Sequence, residues 1–271
     1  MKRLFHIASN KVPADKEPVL LCEVSQHHIS LAMADDVSKQ LHQASYYELR
    51  NVLEPDKLQD VLKAEHVEVT DIKRVVLCSA LNEVVLVPRH HFTEESARQF
   101  FTAVYGNTSD PLVYDEIREL NLVLVHAVPA GIIGFLKSLR TAETVHAFSC
   151  QLRSYNGFVA EDQMTVHFTG KEIRVIAKRE QQLKLVQSYF YTAPMDVVYY
   201  LLSIAKEYGF SQSDTTLILS GLISEDSAMY KELHQYFSAV HFWKPVTKST
   251  LQSEHPQHFF SSIYNLAGCV L

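Results

Sequence analysis

The sequence predicts an α/β protein made from one unit used twice, and three observations carry that expectation. First, three strand-like runs in tight succession, an amphipathic helix and a lone apolar run occur over 19–80 and again over 163–220. Second, the lone runs at 74–80 and 215–220 are apolar almost without alternation, which suits a central parallel strand covered by helices on both faces. Third, 271 residues with 47% hydrophobic content suffice for two compact cores, and 8 glycines and 9 prolines leave no long flexible linker.

The first copy opens at Pro18, with 19–24 as a nearly continuous apolar strand, 29–34 as its hairpin partner and 40–49 as a third strand. Pro55-Asp56 starts a helix with Leu58, Val61 and Leu62 on one face. A right-handed crossover then lays 74–80 beside and parallel to 19–24. An inserted subdomain is expected over about 82–110: a strand at 84–88, then a helix capped by Thr93 and ended by Gly106, with Ala97, Phe100, Phe101 and Val104 on a common face. After it come a long strand at 119–128, a helix at 130–140 and a strand at 144–150. The polar Ser154-Tyr155-Asn156-Gly157 marks a boundary between domains 1–155 and 156–271.

The second copy has clearer signals. Strands at 163–168 and 172–178 form a hairpin around Thr169-Gly170, and a third strand covers 183–191. Pro194 and Asp196 suit the first turn of a helix that Gly209 ends, with Val197, Val198, Leu201, Leu202 and Ala205 as its apolar stripe. A buried fourth strand at 215–220, a helix at 225–237 turning Met229, Leu233 and Phe237 inward, a short strand at 240–243 and a helix at 256–266 complete the unit.

Charge and composition exclude several function classes. Net charge is −6, from 25 basic and 31 acidic residues, with no Lys or Arg run to follow a phosphate backbone, so nucleic acid is not the expected partner. The start, Met1 to Ile7, lacks a signal-peptide apolar core and no apolar run reaches membrane-span length, so a cytoplasmic protein without membrane insertion is expected. Cys22, Cys78, Cys150 and Cys269 are far apart and never form C-x-x-C, which fits buried thiols in a reducing compartment. The histidine pairs His27-His28, His90-His91 and His255/His258 lack an acidic partner at ligand spacing, so no metal site is expected. Ser220-Gly221 lacks the G-x-S-x-G frame of a nucleophile turn, and Thr169-Gly170-Lys171 is too short for a P-loop. The aromatic doublets Tyr46-Tyr47, Tyr189-Phe190-Tyr191, Tyr199-Tyr200 and Phe259-Phe260 put ring faces on both sides of their elements, a pattern favoured at protein interfaces.

The repeated strand-strand-strand-helix-strand unit resembles the actin-like ATPase fold, in which two ribonuclease-H-like domains each hold a mixed five-stranded sheet of order 3-2-1-4-5 with helices on both faces. The run Val19-Leu20-Leu21-Cys22-Glu23-Val24-Ser25-Gln26-His27-His28-Ile29-Ser30-Leu31 is similar to the first hairpin of the actin-like pilus-assembly and secretion-assembly ATPases. Met164-Thr165-Val166-His167-Phe168-Thr169-Gly170-Lys171-Glu172-Ile173 resembles the hairpin of their second half, and Leu217-Ile218-Leu219-Ser220-Gly221-Leu222 their adenosine strand. Length, insertion and divergent loops together look like an uncharacterised bacterial family of actin-like fold and no assigned activity.

The resemblance implies a nucleotide site, and the residues depart from it. In the active families an Asp at the first hairpin organises a hydrated magnesium ion and a Gly lets backbone amides approach phosphate. Glu23 and Ser25 stand at those places, Ser30 replaces a Lys or Gln, His167 replaces the second carboxylate, and Leu222 replaces the second adenosine glycine. The candidate nucleotide residues carried over are therefore Glu23, Ser25, Gln26, His167, Thr169, Gly170, Ser220 and Gly221, with the two first hairpins expected to face a common groove. Glu23, at a hairpin end, is expected to contribute little packing.

Phosphoryl transfer rests on positioned charge, so loops altered this far predict a non-catalytic scaffold that binds a protein partner or itself and needs no cofactor. The rival is an ATP-binding protein or weak ATPase in which Glu23 holds magnesium through water. A sugar or metabolite kinase would need an acidic general base, and no residue is nominated for one.

Overall fold

The computed structural model describes residues 1–8, 18–36, 40–50, 53–68, 72–138, 141–153, 160–245, 251 and 253–271. The chain divides into two compact units: Met1–Tyr155 with Ser249–Ser253 and Ile263–Leu271, and Asn156–Lys248 with Glu254–Ser262. The C-terminal segment, which the sequence pattern assigns wholly to the second domain, is thus shared between them. The polar 154–157 stretch lies outside the described residues, as does the end of the predicted 130–140 helix.

In the first unit the strands β1 (Lys2–Ala8), β2 (Pro18–Val24), β3 (His28–Asp35) and β4 (Leu41–Glu48) precede helix α1 (Pro55–Ala64) and strand β5 (Arg74–Ser79). After β6 (Val84–Pro88) come α2 (Glu94–Tyr105), β7 (Leu112–Ile117), β8 (Leu122–Ala127), α3 (Ala130–Lys137), β9 (Ala142–His146) and α4 (Ala147–Arg153). The main sheet has the order β1-β4-β3-β2-β5-β9, with β5 parallel to both β2 and β9. Five of its strands follow the 3-2-1-4-5 pattern, and β1 adds a sixth at the edge, antiparallel to β4. That edge strand is not among the elements read from the sequence, because KRLFHIA does not alternate polar and apolar residues. Glu65 accounts for its place: the carboxylate accepts from Tyr47 on β4 and from Gln43 (3.0 Å), and pairs with His6 (2.8 Å) and Arg3 (3.5 Å) of β1.

The insertion is larger than its predicted 82–110 span. Strands β6, β8 and β7 form a separate three-stranded antiparallel sheet, so the run read as one long strand at 119–128 belongs to it. Helix α2 is capped by Thr93 as expected from sequence, Ser96 completing a capping box, but only Ala97 and Phe101 of the four residues on its predicted face are buried. Phe100 and Val104 are 45% and 63% exposed, because the i, i+4 stripe continues to Tyr105, whose hydroxyl donates to Val84 O at 3.1 Å. The predicted strand at 144–150 stops at His146 and turns into α4.

Asp115 on β7 causes that turn and fastens the inserted sheet to the core. Its Oδ2 accepts the His146 N–H and the Ser149 hydroxyl, each at 2.6 Å. Burial pushes this carboxyl up, but neighbouring His126, the Ser149 hydroxyl and the His146 amide outweigh burial and hold it below the ordinary range. The two 2.6 Å bonds carry most of this, since His126 Nε2 stands 3.8 Å away, beyond hydrogen-bond range. A carboxyl depressed on folding stabilises above its unfolded value and loses that contribution as pH falls through its folded value. The urea midpoint of the first unit, followed by far-UV circular dichroism, is therefore expected to drop below about pH 4. Asp115→Asn should be less stable at neutral pH and lack this part of the acid dependence; an identical acid profile in that variant would refute the assignment.

The second unit comprises β10 (Gln163–Phe168), β11 (Glu172–Arg179), β12 (Gln182–Phe190), α5 (Pro194–Tyr208), β13 (Thr216–Gly221), α6 (Ala228–Tyr236), β14 (Ala239–Phe242) and the start of α7 (Ser261–Val270). Its sheet order is β12-β11-β10-β13-β14, with β13 parallel to β10 and β14. The first turn of α5 is held by Asp196, whose Oδ2 accepts from the Thr192 and Ala193 amides at 2.8 and 2.9 Å. Val166, Phe168, Val175, Leu201, Leu219 and Leu233 form the centre of its core. Among the described residues, no helix is long and apolar enough to cross a membrane.

Candidate functional site

The two copies of the first hairpin are built by the same device. In the β2–β3 turn, Ser25 N–H donates to His28 O (2.9 Å), while Ser25 Oγ accepts the His27 and His28 amides at 3.1 and 3.0 Å. In the β10–β11 turn, Thr169 N–H donates to Glu172 O (2.9 Å), and Thr169 Oγ1 accepts the Lys171 and Glu172 amides at 3.5 and 3.2 Å. A hydroxyl at this position mimics a backbone turn, which explains why Ser and Thr occupy it. Beyond each hairpin the parallel fourth strand docks identically: Ala80 N–H donates to Val24 O (2.7 Å), and Leu222 N–H to Phe168 O (2.8 Å).

Around this frame the first unit holds a buried polar chain. Glu23, Ser25 and His28 are 1%, 0% and 2% exposed. Two backbone amides occupy the Ser25 oxygen, so its proton goes to His28 Nδ1 at 2.6 Å. The other ring nitrogen, Nε2, then carries the proton it donates to Glu23 Oε1 at 2.9 Å. Tyr46 stacks on the imidazole, with ring centroids 5.0 Å apart. Glu23 is thus embedded in the core, against the expectation that it contributes little packing; the Cys78 thiol also points at its Oε2 from 4.0 Å. Gln26 is half-buried, and its carbonyl accepts Leu53 N–H at 2.9 Å.

In the second unit the carboxylate and the imidazole exchange places. His167 stands where Glu23 does, two residues before the turn hydroxyl, and Glu172 opens β11 as His28 opens β3. His167 Nδ1 lies 3.0 Å from Ser220 Oγ and 3.3 Å from Ser261 Oγ, all three side chains being buried. Gly170 is exposed at the turn tip. Gly221 adopts φ +77°, and a Cβ there would collide with the Phe168 carbonyl oxygen and press on the His167 ring. Of the candidate residues, the first hairpin brings Glu23 and Ser25 together through His28, and the second brings His167 and Ser220 together.

Sequence reasoning missed His28, Glu172 and Ser261 as members of these sites. Strand parity was available for His28: it shares a face with Ser30, which registers opposite Glu23. No local signal points to Ser261. Of the other histidines, His90 and His91 are exposed with rings 4.0 Å apart, while His258 is buried with its Nε2 2.7 Å from Ile223 O and His255 is exposed. Among the described residues, no group of three or more His, Cys, Asp or Glu is arranged to hold a metal ion.

The profile of the DUF3822 family, proteins of unknown function, matches residues 10–240. The chain belongs to this family. A crystallised Bacteroides thetaiotaomicron VPI-5482 protein, described as having an actin-like ATPase fold and unknown function, superposes on this DUF3822 chain with a TM-score of 0.76 at 18% identity, covering 96% of this chain and 100% of that one. The PilM–PilN type IV pilus biogenesis complex contains a chain that matches at TM-score 0.61 and 13% identity, covering 92% of this chain and 97% of that one. These likenesses establish the actin-like ATPase fold. No curated protein matches the sequence.

Proposed function

We propose that this DUF3822 chain is a non-catalytic actin-like scaffold of the bacterial cytoplasm that engages a protein partner or a second copy of itself and uses no nucleotide cofactor. One observation carries the reading: three backbone amides in each first-hairpin turn already donate within that turn. A turn that serves a phosphate must direct its amides at the ligand instead. The carboxylate at the magnesium position is likewise engaged by His28 in a buried chain, where a hydrated ion would have to displace the imidazole. Catalysis of phosphoryl transfer by such loops would lack the positioned charge it requires.

Support for a protein partner comes from the surface and from the fold. Phe190, Met195 and Tyr199 are 48%, 50% and 67% exposed at the end of β12 and along α5, and exposed aromatic side chains are favoured at interfaces. The PilM–PilN complex is an instance of a protein of this fold in a protein assembly. Calorimetric titration with magnesium and ATP tests the reading. Weak or absent binding is expected; a Kd tighter than about 100 μM, worth more than about 5 kcal/mol, would overturn the cofactor-free scaffold in favour of the ATP-binding alternative.

A further inference from the structure

The thiols of the first unit are not scattered once the chain is folded. Cys150 on α4 is 1% exposed and lies one turn before Arg153 on the same helix face, within reach of both Cys78 and Cys269; Cys269 sits next to the last residue of α7 and is partly exposed. Arg153, at the end of α4, donates from Nη1 to Cys269 Sγ at 3.4 Å. The guanidinium is held for this contact because its Nη2 and Nε donate to Glu116 O at 2.9 and 3.3 Å. The end of α7 is held too, by Arg74 donating to Val270 O at 3.0 Å. Two fixed elements therefore present the sulfur of a partly exposed cysteine to a cation and to a second, buried cysteine.

We propose that Cys269 is a peroxide-reactive thiol and Cys150 its resolving partner, the two closing into a disulfide that staples the C-terminal helix to α4. The Cys150 hydrogen bond and the Arg153 charge stabilise the Cys269 thiolate against the cost of burial and the opposing Asp115 charge, and lower its pKa to about 6, below the ordinary thiol range. The same surroundings push the Cys150 thiol well up, through its contacts with Cys269 and Cys78 and through burial. The negative end of the α7 dipole opposes the thiolate, but that is a partial charge, whereas Arg153 brings a full one in direct contact.

The chemistry balances with hydrogen peroxide as the oxidant. A Cys269 thiolate lone pair attacks one peroxide oxygen, the O–O bond breaks, and the departing hydroxide takes up a proton to become water, leaving a sulfenic acid. Cys150 then loses its proton and attacks the Cys269 sulfur; the S–S bond forms and the S–O bond breaks, with hydroxide again leaving as water. Two thiols give up two electrons and one peroxide accepts them.

The test uses the full chain, one equivalent of hydrogen peroxide at pH 7, acid quenching, alkylation of remaining thiols and peptide mass spectrometry. A Cys150–Cys269 disulfide is expected, with Cys22 and Cys78 still alkylated. Cys150→Ser should accumulate a dimedone-reactive sulfenic acid on Cys269, and Cys269→Ser should abolish both products. Four unmodified thiols, or a Cys78–Cys150 linkage instead, would overturn the proposal. The pH profile of iodoacetamide labelling is a second readout that needs no cysteine variant: its midpoint at Cys269 should lie near the value above and rise by about one unit or more in Arg153→Gln, towards an ordinary thiol. The rate at neutral pH should change only a few-fold, since a lower thiol pKa also lowers nucleophilicity. An unmoved midpoint in Arg153→Gln would remove Arg153 from the site.

Discussion

Gly221→Ala is expected to destabilise the second unit by about 3 kcal/mol, the sum of roughly 1–2 kcal/mol for a left-handed backbone and a similar amount for overpacking. The cause is local and steric. At φ +77° an L side chain is strained, and its Cβ would collide with the Phe168 carbonyl oxygen, which accepts the Leu222 amide at 2.8 Å. The β10–β13 pairing would have to part to relieve the clash, because Phe168 and Gly221 are themselves register partners. Trp243 is the only tryptophan in the sequence and its backbone N–H donates to Leu219 O on β13, so its fluorescence follows this unit. A urea titration read at Trp243 should show a large fall in midpoint for Gly221→Ala and almost none for Gly170→Ala, whose position is exposed. Equal midpoints for wild type and Gly221→Ala would show that the glycine is not the spacer described.

Glu23→Ala should cost the first unit about 3 kcal/mol, by leaving the buried His28 Nε2–H without its acceptor and opening a cavity beside Cys78. Glu23→Gln should cost much less, because the amide oxygen still accepts from His28. Hydrogen exchange of β2 and β3 reads this unit directly. Faster exchange in Glu23→Ala, with Glu23→Gln near wild type, is the expected result. Wild-type protection in the alanine variant would mean that the carboxylate is dispensable to the fold and was free for a ligand. Loss of magnesium dependence in such a variant therefore proves nothing about metal binding unless the fold is monitored alongside.

The legible parts of the fold were those specified by residues close together in sequence. The apolar runs at 19–24 and 74–80 and the alternating run at 163–168 became β2, β5 and β10 because strand patterning needs only near neighbours in the chain. Capping at Thr93 and Asp196 was legible for the same reason, since the partners lie three or four residues away. The edge strand β1 was not, because its residues do not alternate polar and apolar and its place depends on Glu65, about sixty positions on. Likewise the strand expected at 144–150 gave way to α4 because Asp115, thirty-one residues earlier, offers an acceptor to the His146 amide.

The candidate site divides along the same line. Sequence identified the two hairpins, the departures Glu23, Ser25 and His167, and the surviving Gly221, all of which can be read against a strand-turn-strand pattern. The duplication and the actin-like fold followed from that pattern as well. The use of these residues did not: Ser25 and Thr169 close their own turns, Glu23 is buried on His28, and His167 meets Ser220 and Ser261, 53 and 94 residues away. Strand and turn preferences act over a few covalent neighbours and are written in the chain. Whether a carboxylate or an amide remains available to a ligand depends on which distant donors the packing brings within about 3 Å of it, and local pattern carries no record of that.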